Sequence, residues 1–187
     1  MFTRKLALAL AFTAAFAAQP ALATDVALPM DGQWYAFDAD DLTATSGGLE
    51  WIDTSDGSAL SFSFSGAATL IVIDGGFAGD LFEIYDNGVL LGATSAAVNS
   101  YPNSVGLDFE AAFGDPTYSR GVYLLHAGNH VITGVLSTSA LDDMDMPINA
   151  TVGGVMLAAA PVPEPETYAL VLAGLGLVGF AARRRAN

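Results

Sequence analysis

The stretch DLFEIYDNGVLLGATS, residues 80–95, carries the most specific local signal in the chain. Asn87 and Gly88 tolerate the positive φ that both central residues of a type I′ turn require, and β-rich runs flank them. The stretch therefore predicts a tight antiparallel hairpin. Side chains alternate between the two faces of a strand, which makes Phe82, Ile84, Val89 and Leu91 the candidates for core contact.

The same grammar extends in both directions. QWYAFD (33–38), LEWID (49–53), ALSFSF (59–64) and ATLIVID (68–74) are rich in aromatic and β-branched residues, with Gly, Ser and Asp between them. In ALSFSF the alternation is clean, with Leu60, Phe62 and Phe64 on one face and serines on the other. A second hairpin is predicted in VYLLHAGNHVITGVLS (122–137), turning at Ala127-Gly128-Asn129, and GGVMLAA (153–159) supplies a last strand. Residues 104–114 hold one helical turn in this reading. Regularly spaced strands without a long amphipathic helix indicate an all-β ectodomain, an antiparallel β-sandwich of jelly-roll type.

Composition is unevenly distributed. Of 187 residues, 52% are hydrophobic and 14% charged, but unbroken apolar runs occupy only the two ends. Residues 24–160 hold eighteen acidic side chains and one basic side chain, Arg120, a formal charge of −17. Such a domain is repelled by phosphate backbones, which argues against nucleic acid as a partner. The absence of cysteine excludes disulfides, Cys-based zinc sites and a thiol nucleophile. Export remains compatible with that absence, since a domain of this size buries about two-thirds of its unfolded surface without cross-links.

Residues 1–23 read as a secretory signal peptide and signal helix. Arg4 and Lys5 form the positive start, Leu6 to Ala18 the apolar middle, and Ala21-Leu22-Ala23 a small-x-small cleavage site, so the mature chain begins at Thr24. The apolar run at the other end, 168–182, is expected as a single transmembrane helix. Fifteen residues span about 22 Å as a helix, short of a hydrocarbon core of roughly 30 Å. Tyr168 at one interface and Arg183, Arg184 and Arg185 at the other assist it. The three arginines hold that end in the cytoplasm, which places the ectodomain outside.

Within this run GLGLVG matches G-x-G-x-x-G at Gly174, Gly176 and Gly179. A dinucleotide loop needs a preceding strand, a following helix and an acidic residue about twenty positions on. Only eight residues follow Gly179. Glycine in a membrane helix has the simpler purpose of close helix approach.

The order of parts is Val162-Pro163-Glu164-Pro165, then TYALVLAGLGLVGFAA, then Arg183 to Arg185. This resembles the PEP-CTERM sorting signal of Gram-negative bacteria, over residues 161–187. The resemblance implies recognition by an exosortase, an integral-membrane processing enzyme. It also implies a precursor anchored in the inner membrane by its tail, then delivery to the cell surface or beyond, where exopolysaccharide and biofilm matrix are made. Pro163 and Pro165 keep Glu164 in extended chain, accessible to a processing enzyme.

No residue of the ectodomain is selected as catalytic, and no cofactor is required by any motif. His126 and His130 flank a turn and lack further ligands. No G-x-S-x-G elbow exists, and no spacing singles out a carboxylate pair. Asp142, Asp143 and Asp145 form a candidate calcium loop, with Asp38, Asp40 and Asp41 a similar cluster, although the EF-hand pattern is absent. Trp34, Tyr35, Trp51 and Tyr101 suit either sugar stacking or a core. The expectation is a non-enzymatic structural or adhesive component of the extracellular matrix. The alternatives are a carbohydrate-binding module, marked by several aromatics exposed on one face, and an exported hydrolase, which needs a cleft with convergent carboxylates.

Overall fold

A computed structural model describes residues 23–160, 170–175, 177 and 183. The strands are β1 (Thr24–Ala27), β2 (Tyr35–Asp40), β3 (Leu60–Ser65), β4 (Ala68–Asp74), β5 (Leu81–Asp86), β6 (Val89–Ala93), β7 (Arg120–Leu125), β8 (Asn129–Thr138) and β9 (Ala150–Ala159). One short helix, α1 (Phe109–Gly114), falls inside the predicted 104–114 segment. The side chain of Asp108 starts it by accepting the Ala111 N–H. The strands form two sheets, β1-β3-β8-β5-β6 and β2-β9-β4-β7. From β2 onward this is the strand order of a jelly roll, with β1 added at one edge. Every pairing is antiparallel except β1 with β3, which runs parallel.

The hairpin at 80–95 forms as its sequence dictates, with Asn87 at φ 50° and Gly88 at φ 77°. It is the one consecutive pair within a single sheet among β2–β9. Phe82 and Ile84 are fully buried and Leu91 packs against the core, but Val89 is 68% exposed. The pairing slips at Ile84/Tyr85, where Leu91 is the extra residue on β6. Beyond that bulge Val89 pairs with Asp86 beside the turn, at the start of edge strand β6, and stays open to solvent.

The second predicted hairpin does not form. β7 pairs with β4 in one sheet, whereas β8 lies between β3 and β5 in the other. Residues 126–128 therefore arch from sheet to sheet, beside the β3–β4 connection, where Gly66 N–H donates to Gly128 C=O at 2.8 Å. A turn is needed in either geometry, so local residues do not distinguish hairpin from arch. The decisive feature is the length of β8, ten residues with His130, Ile132, Gly134 and Leu136 buried, which takes a central position.

LEWID is not a strand but a bridging segment. Trp51 N–H donates to Gly134 C=O, and Ile52 exchanges backbone bonds with Asp38 in the other sheet. Trp51, fully buried, stacks on Phe37 at 3.9 Å between centroids, with Phe82 edge-on to Phe37 at 5.2 Å. A Cβ at Gly134 would lie 2.2 Å from the Trp51 ring, and one at Gly153 2.2 Å from Phe37. Both strands are bare where the aromatic pair presses against them. A second cluster, Ile73, Ala78, Phe109, Ala112 and Tyr118, seats α1 on the outer side of β4. Arg120 donates to the Phe113 and Asp115 carbonyls at 2.6 Å each, so the ectodomain's lone cation caps the end of α1.

The signal segment 1–22 and most of the tail lie outside the described residues. The described tail residues 170–175, 177 and 183 are helical, with Leu170, Leu172, Leu175 and Leu177 exposed. Among the described residues no helix is long and apolar enough to cross a membrane.

The Trp51 contact yields a direct test. Gly134→Ala is expected to lower stability by about 1–3 kcal/mol through overpacking. Gly114→Ala, with nothing within 4 Å of the new methyl, should change it by less than about 0.5 kcal/mol. Urea unfolding of both variants decides; equal midpoints would show that the two sheets yield freely around Trp51.

Candidate functional site

Two clefts share one wall at the end of β2. The first, about 290 Å³, is lined by Asp38, Asp40, Phe77, Thr151 and neighbouring backbone. The second, about 410 Å³, adds Thr43, Asp53, Ser55 and Asp56. Burial, then the nearby Asp40 and Asp53 charges, push the Asp38 carboxyl up from its ordinary value. Asp40 accepts the Leu42 N–H at 2.8 Å, and Asp53 the Ser55 N–H at 2.8 Å. Asp56 accepts the Ser58 N–H at 2.9 Å, and hydrogen bonds from Ser58 hold its carboxyl below the usual range. These are Asx turns, in which the carboxylate fixes the loop that carries it. Asp41 accepts instead from the Asn149 side chain at 3.2 Å.

The Asp142 loop is built the same way. One Asp142 oxygen accepts from the Met144 and Met146 N–H groups at 2.8 and 2.9 Å, while Asp143 and Asp145 face solvent. Among the described residues no group of three or more His, Asp or Glu side chains is positioned to hold a metal. The loop thus does not bring Asp142, Asp143 and Asp145 together as a donor set.

The histidines are also separated in role. His126 is exposed, whereas His130 is buried, stacked on Phe64 at 4.7 Å and paired through Nδ1 with Asp86 at 2.7 Å. Its Nε2 donates to the His126 carbonyl at 2.9 Å. Burial lowers the His130 pKa, but the Asp86 carboxylate and the carbonyl outweigh it, and the net shift is upward. The sugar-stacking candidates divide as well. Trp51 is interior, Trp34 packs on Phe109 and Phe113, and Tyr35 donates to Asp31. Tyr101 alone lies beside a cleft residue, its ring 5.0 Å from that of Phe77.

The most unusual chemistry was not singled out by sequence. Asp74 and Asp80 bracket the loop Gly75–Gly79, which carries the chain from β4 to β5, and they are 0% and 2% exposed. Asp74 follows Leu70 and Val72 on the inward face of β4; Asp80 shares the inward parity of Phe82 on β5. Asp74 Oδ2 accepts from the Gly79 and Asp80 N–H groups at 3.2 Å, whereas Oδ1 is buried with no partner among the described residues. Asp80 Oδ1 accepts the Ala140 N–H at 2.8 Å. Burial, then repulsion from Asp80, raise the Asp74 pKa from 3.8 to about 9; burial raises Asp80 to about 6. The available sequence signal was an aspartate closing an apolar run, LIVID, and followed by two glycines.

The tail is the remaining site. Residues 161–185 match the PEP-CTERM protein-sorting motif. No curated protein and no solved structure matches the chain. The motif makes this an exported protein sorted by an exosortase, with a membrane-anchored precursor processed toward the surface. Pro163, Glu164, Pro165, Arg184, Arg185 and Ala21 lie outside the described residues; Ala23 is exposed at the start of the sandwich, and Arg183 is helical.

The carboxyl pair fixes the sign of a pH dependence. Asp74 holds its proton in the folded protein to about pH 9 and loses it near 3.8 when unfolded. Its contribution is full below pH 3.8 and is lost as pH rises toward 9; that of Asp80 is lost by about pH 6. His130 acts with the same sign, as its upward shift favours the protonated fold. In chelating buffer, stability should fall between pH 5 and 8 by up to about 1.4 kcal/mol per pH unit for each extra proton held. Asp74→Asn should make the slope shallower, leaving the shares of Asp80 and His130. Calorimetry across this range tests it, and identical slopes in variant and wild type would refute the assignment.

Proposed function

We propose that the sandwich is a non-enzymatic structural or adhesive component of the cell surface or extracellular, exopolysaccharide-associated matrix, delivered there by exosortase sorting. The observation that carries this reading is the ordered motif at residues 161–185. The state of the ectodomain's carboxylates supports it. Asp40, Asp53, Asp56 and Asp142 each accept the N–H two residues ahead and so shape their own loops. An acidic, loop-rimmed sandwich suits a hydrated polymer matrix, where net charge of one sign keeps the protein from self-association.

A second reading, carbohydrate binding, has one observation in its favour. The cleft lined by Asp38, Asp40 and Thr151 also holds Phe77, beside which the Tyr101 ring is tilted and partly exposed. Carboxylate acceptors next to an aromatic surface fit the hydroxyls and the apolar face of a sugar ring. Tyr101→Ala should then weaken retention on an exopolysaccharide column by about fivefold, given that an aromatic stacking contact contributes on the order of 1 kcal/mol. Unchanged retention, or none in wild type, removes this reading and leaves the structural one.

Sorting itself is tested by separating two parts of the tail. Replacing Arg183, Arg184 and Arg185 with neutral residues removes the cytoplasmic stop, and the short apolar run alone holds the membrane poorly. Unprocessed protein should then pass through with its tail attached. Changing Pro163, Glu164 and Pro165 to alanine should preserve anchoring and block processing, so that full-length precursor accumulates in the inner membrane. Membrane fractionation with a tag after Thr24 distinguishes the outcomes. Equal amounts of full-length, membrane-bound protein in the Pro-Glu-Pro variant and wild type would reduce the tail to an ordinary anchor.

A further inference from the structure

Four chain segments converge inside one end of the sandwich. Asp74 ends β4 and Asp80 precedes β5, each with inward parity, so the two sheets direct one carboxylate apiece into the space between them. Thr151 on β9 shares the inward parity of Val155 and Leu157, and Ser139 follows the end of β8. Both lie beside Asp80, and since their hydroxyls donate to the Ala140 and Val152 carbonyls, each oxygen keeps a lone pair. Clefts border this point on both sides: Gly76 and Thr151 line one, Gly79, Ser139 and Ala140 the other.

Neither protonation state satisfies this arrangement. With both groups ionised, two charges are buried and repel each other, at a cost of several kcal/mol per ion. With Asp74 protonated and the proton on Oδ2, Oδ1 stays buried with no hydrogen-bond partner among the described residues. That proton would also displace the Gly79 and Asp80 N–H donors, which already occupy Oδ2. A divalent cation resolves all three difficulties. It cancels the two negative charges, takes up the orphan oxygen, and leaves the N–H bonds to Oδ2 in place.

We propose that the space between Asp74 and Asp80 is a calcium site, bound by Asp74 Oδ1 and the Asp80 carboxylate, with the Ser139 and Thr151 hydroxyls and water completing the oxygen shell. Hard oxygen donors carried on loops between strands suit calcium, which takes six to eight oxygens in flexible geometry. The site ties β4, β5, β8 and β9 together at one end of the sandwich. It is distinct from the Asp142 loop, whose carboxylate is bound to its own backbone.

The test uses the full chain in detergent at pH 7.5, at constant ionic strength, with EGTA or millimolar calcium chloride. Calcium should raise the melting temperature by roughly 5 °C or more if it exceeds its Kd about a hundredfold. Asp74→Asn and Asp80→Asn should each abolish the rise, while both remain folded in EGTA because neither places a charge in the interior. Asp143→Asn with Asp145→Asn should retain it. Terbium offers a readout independent of folding stability. Tyr118, which donates to Gly76 C=O in the same loop, should sensitise its emission, and calcium should displace it. No melting shift in wild type, a shift that survives Asp74→Asn and Asp80→Asn, or one lost only in the Asp143/Asp145 variant would overturn the site. None of these results touches the sorting of the chain, which rests on its tail.

Discussion

The stack of Trp51 on Phe37 is the contact around which the sandwich closes. Phe37 belongs to one sheet; Trp51 comes from a segment hydrogen-bonded to Gly134 in the other and to Asp38 in the first. Two large rings in parallel need more room than the usual interdigitation of sheet faces, and Gly134 and Gly153 supply it by having no side chain. The register of β8 and β9 is thereby tied to the position of two rings. A one-residue slip of β8 would place Thr133 or Val135 under the Trp51 ring and turn every inward residue outward. With the register fixed there, the ends of β4, β8 and β9 are fixed too, and with them the side chains directed inward at the Asp74–Asp80 loop.

Aspartate serves two separate physical purposes in this chain. On the rim, Asp40, Asp53, Asp56 and Asp142 accept nearby backbone N–H groups and replace the hydrogen bonds that a loop lacks. Their charge stays in water, where it costs little. Asp74 and Asp80 are inside, where charge is expensive and each unpartnered oxygen matters. Composition counts both kinds alike. Only strand parity separates them, since Asp74 continues the inward set Leu70 and Val72.

That distinction also explains what was legible in the sequence. The hairpin at Asn87-Gly88 was readable because a positive φ at two successive residues is a local demand with few residues able to meet it. The inward face of β3 was readable from period-two alternation. The β7–β8 arch was not, because strand partners several elements away decide whether a turn closes a hairpin or crosses between sheets. Val89 failed because it sits beside the turn at the start of an edge strand, where inward parity alone does not bury a side chain. Trp51 offered no local sign of being interior, as the glycines that make room for it lie 83 and 102 positions further on. The clustered aspartates drew attention as candidate ligands, yet proximity in sequence favoured turns. Asp74 and Asp80, six apart and joined by a glycine-rich loop, meet only because the two sheets face one another. The tail was legible throughout, since a sorting signal is read as a linear order of residues and needs no tertiary structure.

Charge links the body to its address. Five of six basic residues lie in the terminal segments, leaving residues 24–160 at −17. While the ends are attached, they hold the basic groups that a membrane's cytoplasmic face attracts. Removal of both ends leaves a body with one cation, and that one, Arg120, is engaged with the carbonyls at the end of α1. No free positive charge then remains on the described ectodomain to hold it against an anionic envelope. The segregation of charge thus gives one chain two opposite electrostatic characters: basic ends that an anionic membrane attracts and an acidic body that it repels. Much of the self-repulsion this imposes on the folded body falls on rim loops, where salt screens it over about 10 Å, although Asp40 and Asp53 still press on half-buried Asp38. The interior is where it would be unscreened, and there only two carboxylates meet, at the one point where neighbouring oxygens can share a cation between them.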